Sequence, residues 1–473
     1  MLSAVFLLVF SLFFNNIVFI INSLVFCFIY YFLVYNYSFN SFFNFKNSLF
    51  FMDSLSFYLI FLSFFLFIFI IILSINNSNN YYNLFNLLLL LILILCFLSN
   101  STFYFFIFFE ISFIFIFLII MFWGINPERI DSLNYLIIYS LIGTIPLLFT
   151  LINFQSNVDL GSGNWLVMDY FNSLSLIDLN MQQVESFDFN KNENSLFNIF
   201  FGNVLSFFLI FLSFLIKFPV YGLHLWLPKA HVESPVYGSM ILAGIMLKIG
   251  VFGIYRYLFH MKGFYFNQIL VIYIICFFCF SLIFVNMVCV RQYDVKSFIA
   301  YSSIVHMTLI AIIILSNSSV SILGSIYLCI SHGFCSSALF LNFNIFYLNS
   351  GTRNILINRG FIFVIPLISF FWFSFCSLNC SVPFSLNFIS ELLLICSGVN
   401  LSNSFLIFYL FNVFFCGLYS IFIYLFISHG KFNNSIILQN LSISNYFIFI
   451  VLLFHFYLVF FYIFFFDTYL SII

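Results

Sequence analysis

The chain has 473 residues, 64% of them hydrophobic, only 6% charged, with 82 Phe and a formal net charge of −1. This balance leaves no basic footprint for nucleic acid. It also excludes a β-barrel, whose short strands would alternate in polarity where these apolar runs do not.

Apolar runs long enough to cross a bilayer, roughly 20 residues in a helix, recur throughout. Lipid offers the backbone no hydrogen-bond partner, so such runs close their bonds within helices. The fold class predicted is an all-α polytopic membrane protein. About 14 spans are expected, at 3–18, 20–36, 54–74, 84–98, 102–122, 133–153, 196–226, 236–258, 267–289, 295–315, 319–347, 361–396, 402–427 and 443–466. The start, MLSAVFLLVF, lacks a basic n-region, so no cleavable signal is expected. The longest gap, 154–195, carries Asp159, Asp169, Asp178, Glu185, Asp188 and Glu193 against Lys191 and reads as a solvated loop. The eleven Cys lie mostly inside apolar runs; Cys276 and Cys279 have no neighbouring ligands and read as small apolar filler. Abundant Phe, Ile, Asn and Tyr beside scarce Ala, Gly and Arg suggest an A+T-rich coding genome such as an organelle's, which the coding DNA would test.

Alternate loops differ in basic residues. One side collects Arg129, Lys229, Arg291, Lys296, Arg353, Arg359 and Lys431, and the other Lys46, Lys191, Arg256 and Lys262. The positive-inside rule assigns the first side to the cytoplasm or mitochondrial matrix, with both termini and the acidic loop facing outward.

Four formal charges then remain at membrane depth: Glu110, Lys217, Lys248 and Glu391. Each costs at least about 2.5–3.5 kcal/mol at a bilayer centre, so each is expected to be paired or functional. Lys217 lies two residues before Pro219, where a proline breaks a helix and frees carbonyls that water can reach. Gly244 and Lys248 share a helix face, and a tight connection through LPKAHVESP would bring Lys217 and Lys248 to similar depth. Lys229, His231 and Glu233 in that connection are expected to turn the chain back. Glu391 follows Pro383 on a second proline-bearing helix. His306 and His332 stand inside spans beside serines, and histidine shuttles protons near neutral pH. For these two and for His224, a hydrogen-bonded core histidine is the plain alternative; His455, alone on an apolar run, reads as structural. Together Glu110, Lys217, Lys248, His332 and Glu391 could form a proton path along the midplane. An ion-pair switch worth roughly 4 kcal/mol matches the 3.5–4.6 kcal/mol, on the order of, needed to move one proton against 150–200 mV.

WGINPERI, KFPVYGLHLWLPKAHVESPVYGSMILAGIMLKIG, RQYDVKSFIAYSSIVHM, ISHGFCSSALF and MDSLSFYLI resemble chain 4 of NADH–ubiquinone oxidoreductase, mitochondrial complex I. The resemblance runs from about residue 52 to 430. It implies a 14-helix antiporter-like subunit with two inverted five-helix repeats and broken seventh and twelfth helices. The corresponding division is 1–83 for the first three helices, 84–260 and 261–430 for the repeats, and 431–473 for the last helix. On matching motifs it implies a proton relay of Glu110, Lys217, Lys248, His306, His332 and Glu391. It implies neighbours in the antiporter-like chains 2 and 5 and accessory subunits, with lipid and internal water around them. No cofactor or metal is implied in this chain, and the sequence has no GxGxxG in a βα setting and no Cys cluster. The implied location is the mitochondrial inner membrane, with both termini on the intermembrane-space side. An Mrp-type cation/proton antiporter and a non-pumping scaffold of the arm are the alternatives.

Overall fold

A computed structural model describes residues 22–27, 50, 53–74, 80–124, 126–157, 208–260, 268–316, 318–431 and 444–461. The expected spans 3–18 and most of 20–36, the acidic loop beyond residue 157, and Lys46, Lys191 and Lys262 lie outside the described residues. Among those described, the regular structure is helical, with two isolated bridges, Phe50 to Ser99 and Asp294 to Asn354.

The helices are α1 (Ser54–Ser74), α2 (Asn80–Leu98), α3 (Thr102–Trp123) and α4 (Arg129–Asn157). Then come α5 (Phe208–Lys217) and the short α6 (Trp226–Glu233). A continuous rod, α7, runs as Val236–Ile241, a π-helical turn at Leu242–Met246, and Leu247–His260. It is followed by α8 (Gln268–Val290), α9 (Val295–Ile314) and α10 (Ser319–Ser350). After a single turn at Phe361–Val364 come α11 (Pro366–Asn379), α12 (Leu386–Leu401), α13 (Phe405–Ser428) and α14 (Ser444–Phe461). Nine helices in the described residues are long and apolar enough to cross a membrane.

Their boundaries follow from local chemistry. Ser101, Ser318 and Ser385 each accept a backbone N–H in the first turn of α3, α10 and α12 at 3.1–3.2 Å, which satisfies donors that have no helical partner. The many serines inside spans turn their hydroxyls onto their own helix, as Ser63 does to Ile60 O and Ser303 to Ala300 O. That satisfies a polar group in an apolar interior without a second helix. Ser302 and Ser303, near His306, are spent this way, as is Ser336, which donates to His332 O.

The long helix α10 is the centre of the bundle. It packs against α1, α7, α9, α11, α12 and α14. Close approach is bought by glycines: Gly244 of α7 and Gly333 of α10 meet face to face, with the Gly244 carbonyl 3.2 Å from where a Gly333 Cβ would stand. By contrast, α4 and α13 expose rows of large apolar side chains such as Ile138, Ile145, Phe149, Ile407, Phe414 and Ile421. These rows suit lipid or apolar protein neighbours.

Three expectations need correction. LPKAHVESP is not a loop: most of it is α6, whose Trp226, Leu227, Ala230 and His231 are buried. Pro228 falls in the first turn of α6, where a missing N–H costs nothing. Lys296 is not a solvated loop charge but a buried residue of α9, and Arg353, in the connection after α10 as expected, is tied to α6 and not free in solvent. Lys296 donates to Val232 O at 3.3 Å and Ser234 O at 3.1 Å, and Arg353 to Val232 O at 3.2 Å. Two cations thus finish the C-terminal carbonyls of α6, where the helix dipole favours positive charge. Arg256, counted with the loop bases although the expected span 236–258 covers it, is a buried residue of α7 and pairs with Asp53 at 2.7 Å.

Candidate functional site

Two helices end in the middle of the protein, and the groups of interest gather at those ends. α5 stops at Lys217, and the chain turns through Pro219 and Gly222 before α6 begins. The break leaves the Ile216 carbonyl without a helical donor, and the Trp226 indole N–H supplies one at 2.8 Å. α11 stops at Asn379. The turn that follows holds Pro383, with Ser381 and Phe384 at φ of 60° and 67°. Here Asn387 Nδ2 donates to the Leu378 carbonyl at 2.7 Å. Both breaks are therefore closed by a side chain from the next helix.

At the first break Lys217 Nζ lies 2.7 Å from Glu110 Oε1 of α3. The Lys217 side chain is 2% exposed and that of Glu110 is 27% exposed, so the pair sits at the edge of the bundle with its acid outermost. The ammonium also stands 3.6 and 3.8 Å from the ring centroids of Phe109 and Phe113. Two ring faces and the C-terminal end of α5 hold a cation there in addition to the carboxylate.

A second group surrounds Lys248, which is completely buried on α7 just beyond the π-helical turn. Its ammonium donates to the Ala243 carbonyl and meets His332 Nδ1 of α10 at 3.1 Å. The rings of His332 and His306 follow with centroids 5.4 Å apart. His306 Nε2 is 3.1 Å from Asn379 Oδ1, and its Nδ1 faces Glu391 Oε1 at 3.7 Å. Glu391 Oε2 accepts the Tyr409 hydroxyl at 2.9 Å. The order is thus Lys248, His332, His306, Glu391, Tyr409, across five helices.

Among the described residues, no hydrogen bond or ion pair joins Lys217 to Lys248. What separates the two groups is Phe218, which packs on Gly250, two residues beyond Lys248; a Gly250 Cβ would lie 3.0 Å from Phe218 Cβ. The lysines therefore stand at neighbouring levels on packed helices.

The supporting residues divide. His224 accepts the Gly222 N–H at 3.2 Å on Nδ1 and stacks on Tyr221, apart from the row. His231 is buried flat against Phe340, with ring centroids 4.9 Å apart. Burial and the nearby ammonium groups of Lys296 and Lys248 push it down to about 3. Glu233 pairs with Arg353 at 3.1 Å, and Lys229 Nζ lies over the Tyr135 ring. Lys229 and Glu233 line a cavity of about 290 Å³ together with Glu128, Asp131 and Tyr301. His455 bonds Val451 O and Ser337 Oγ, as a core histidine does. Sequence reasoning missed Asn379, Tyr409 and the Ala243 carbonyl. An asparagine beside the CSVPF break was a signal for the first. Tyr409 is one tyrosine among 28, and a carbonyl freed by a π-turn leaves no mark in a sequence.

A family model described as NADH:quinone oxidoreductase/Mrp antiporter, TM, matches residues 99–416. NADH-ubiquinone oxidoreductase chain 4 of Locusta migratoria is 35% identical over 72% of this chain and 69% of that protein. The chain of the same name from Albinaria caerulea is 34% identical over 71% and 70%. Among solved structures, a chain of respiratory complex I from Thermus thermophilus with bound NADH superposes with a TM-score of 0.74 at 18% identity, over 95% of this chain and 94% of that one. A chain of the Mrp complex from Dietzia sp. DQ12-45-1b gives 0.69 at 16% identity, over 81% and 68%. The fold is therefore the antiporter-like one, and the chain belongs to the NADH:quinone oxidoreductase/Mrp antiporter family and, within it, to the NADH-ubiquinone oxidoreductase chain 4 family.

Proposed function

We propose that this chain is a proton-translocating, antiporter-like subunit of the membrane arm of respiratory complex I, in the mitochondrial inner membrane. It couples NADH:ubiquinone electron transfer to proton movement through Glu110, Lys217, Lys248, His332, His306 and Glu391. The observation that carries the reading is the arrangement of these groups: a Glu110–Lys217 pair at 2.7 Å beside a Lys248–His332–His306–Glu391 file. Each element can hold or release a proton, and each lies where burial makes an idle charge costly. Two broken helices at matching places support a division into repeats at 84–260 and 261–430, flanked by 1–83 and 431–473. Chains 2 and 5 and accessory subunits are the proposed neighbours, both termini face the intermembrane space, and redox cofactors belong to other subunits.

The test is Lys217→Ala and Lys248→Ala in the assembled complex. Proton pumping driven by NADH should fall by at least about tenfold, the scale of a lost acid–base group. Full pumping in an assembled mutant would overturn the relay and leave a scaffold. The Mrp-type reading has support in the family description and the Dietzia fold match; sodium-dependent exchange by the isolated chain would favour it.

A further inference from the structure

The file of acids and bases has two steps without a hydrogen bond: the His332 and His306 rings meet only at 5.4 Å between centroids, and the step to Glu391 is long. Lys248 to His332 is 3.1 Å, but His306 Nδ1 to Glu391 Oε1 is 3.7 Å, beyond a hydrogen bond. The reason is visible on the other side of the carboxyl. Tyr409 donates its hydroxyl to Glu391 Oε2 at 2.9 Å, within the range of an ordinary O–H···O bond, and Glu391 is closely enclosed at 5% exposure. With Oε2 held by Tyr409, and the Ser381 hydroxyl also beside the carboxyl, the other oxygen stays out of hydrogen-bond reach of the imidazole.

Tyr409 itself is 8% exposed and lies on the second turn of α13. It stands five residues past Ser404, so about 7 Å along the helix from the connection between α12 and α13. That connection is polar and exposed: Ser404 Oγ donates to Ser402 Oγ at 3.1 Å. The Lys248, His332 and His306 side of Glu391 leads into the bundle, and the Tyr409 side leads toward this surface. The titratable groups facing Glu391 are His306 of α9, Cys380 in the break after α11, and Cys416 and Tyr409 of α13.

We infer that Tyr409 is a positioning residue that holds Glu391 away from His306, so that the terminal carboxyl meets the buried file only when the Tyr409 bond opens. Glu391 then has two stations. Bound to Tyr409, it is disconnected from the file; released, its carboxyl turns through the 3.7 Å gap and exchanges a proton with His306 Nδ1. In that exchange the proton leaves one atom as it bonds to the other, Glu391 Oε1 or His306 Nδ1, and nothing else is consumed. Tyr409 sets when the last step is connected, which is what keeps a pumped proton from running back.

This inference rests on the proton-relay reading above, and the test separates the two. Tyr409→Phe keeps the ring and removes the hydroxyl; Glu391→Gln is made in parallel, both in the whole complex. Three quantities are read: assembly, protons moved per NADH oxidised across pH 6–9, and the infrared carboxyl C=O band that disappears in Glu391→Gln. The expected result for Tyr409→Phe is normal assembly, a stoichiometry reduced by about a third or more, a displaced pH profile, and a moved Glu391 band. A parental pH profile, stoichiometry and carboxyl band in Tyr409→Phe overturn the inference, while a Glu391→Gln variant that has lost pumping leaves the relay standing. Failure of Tyr409→Phe to assemble also overturns it, because the ring's packing and not its hydroxyl would then be the function. Glu391→Gln that pumps normally removes the relay itself.

Discussion

Glu110→Gln isolates the charge of the first pair while keeping its shape. At 2.7 Å and an effective dielectric of about 20, two unit charges attract by about 6 kcal/mol. Moving a proton against 150–200 mV costs about 3.5–4.6 kcal/mol. Making and breaking the Glu110–Lys217 contact is thus large enough to drive one proton step, and the neutral amide removes that drive. Phe109 and Phe113 remain around the ammonium, at about 0.5–2 kcal/mol each, and cannot replace it. Glu110→Asp withdraws the carboxylate by one C–C bond, to about 4.2 Å, and leaves about 4 kcal/mol. Vesicles containing the assembled complex, given NADH and ubiquinone and read with a pH-sensitive dye, should therefore pump in the order parent, Asp, Gln. The Asp variant should lose about two- to fivefold and Gln at least about tenfold. Parental pumping by Glu110→Gln in a fully assembled complex would refute the reasoning.

Lys248→Met should abolish pumping without lowering the thermal stability of the complex, since a buried ammonium is replaced by an apolar chain of similar length; native-gel survival after heating reads the second half. Gly253→Ala should cost about 1–3 kcal/mol and reduce assembly, because its Cβ would fall on the Phe214 ring, 2.7 Å from Cζ; Gly244→Ala meets only the methyl end of Leu66 and should be milder. His231 is held near 3, below its value of about 6.5 in an unfolded chain, so between those pH values the unfolded chain binds more protons and stability rises with pH. His231→Phe should flatten the pH dependence of thermal inactivation between pH 5 and 6.5; an unchanged slope would show that His231 is not its source.

Charge placement was legible before any coordinates because burial of an ion in hydrocarbon is so expensive. Glu110, Lys217, Lys248 and Glu391 stood out from apolar runs for that reason, and all four are at helices that meet at the breaks. Pro219 and Pro383 marked those breaks, since a ring without an N–H removes a helical hydrogen bond, although Pro146 sits inside α4. Sorting bases by loop left the partners of Lys296, Arg353 and Arg256 unseen. A window of hydropathy treats a cation near a span end as solvated, and it cannot register a helix terminus or a carboxylate brought from a distant segment.

The sequence by itself determined that the chain is a helical membrane protein, which helices break, and which side chains need a partner at depth, because apolar length and the cost of a lone charge are local properties. Tertiary structure alone decided who the partners are. Glu110 reaches Lys217 across 107 positions, Lys248 reaches His332 across 84, and Tyr409 takes the free oxygen of Glu391. Such pairings depend on helix rotation and on glycine contacts as close as Gly244 to Gly333. Rotation by one residue moves a side chain about 100° around its helix, so no pattern within a single span can specify them.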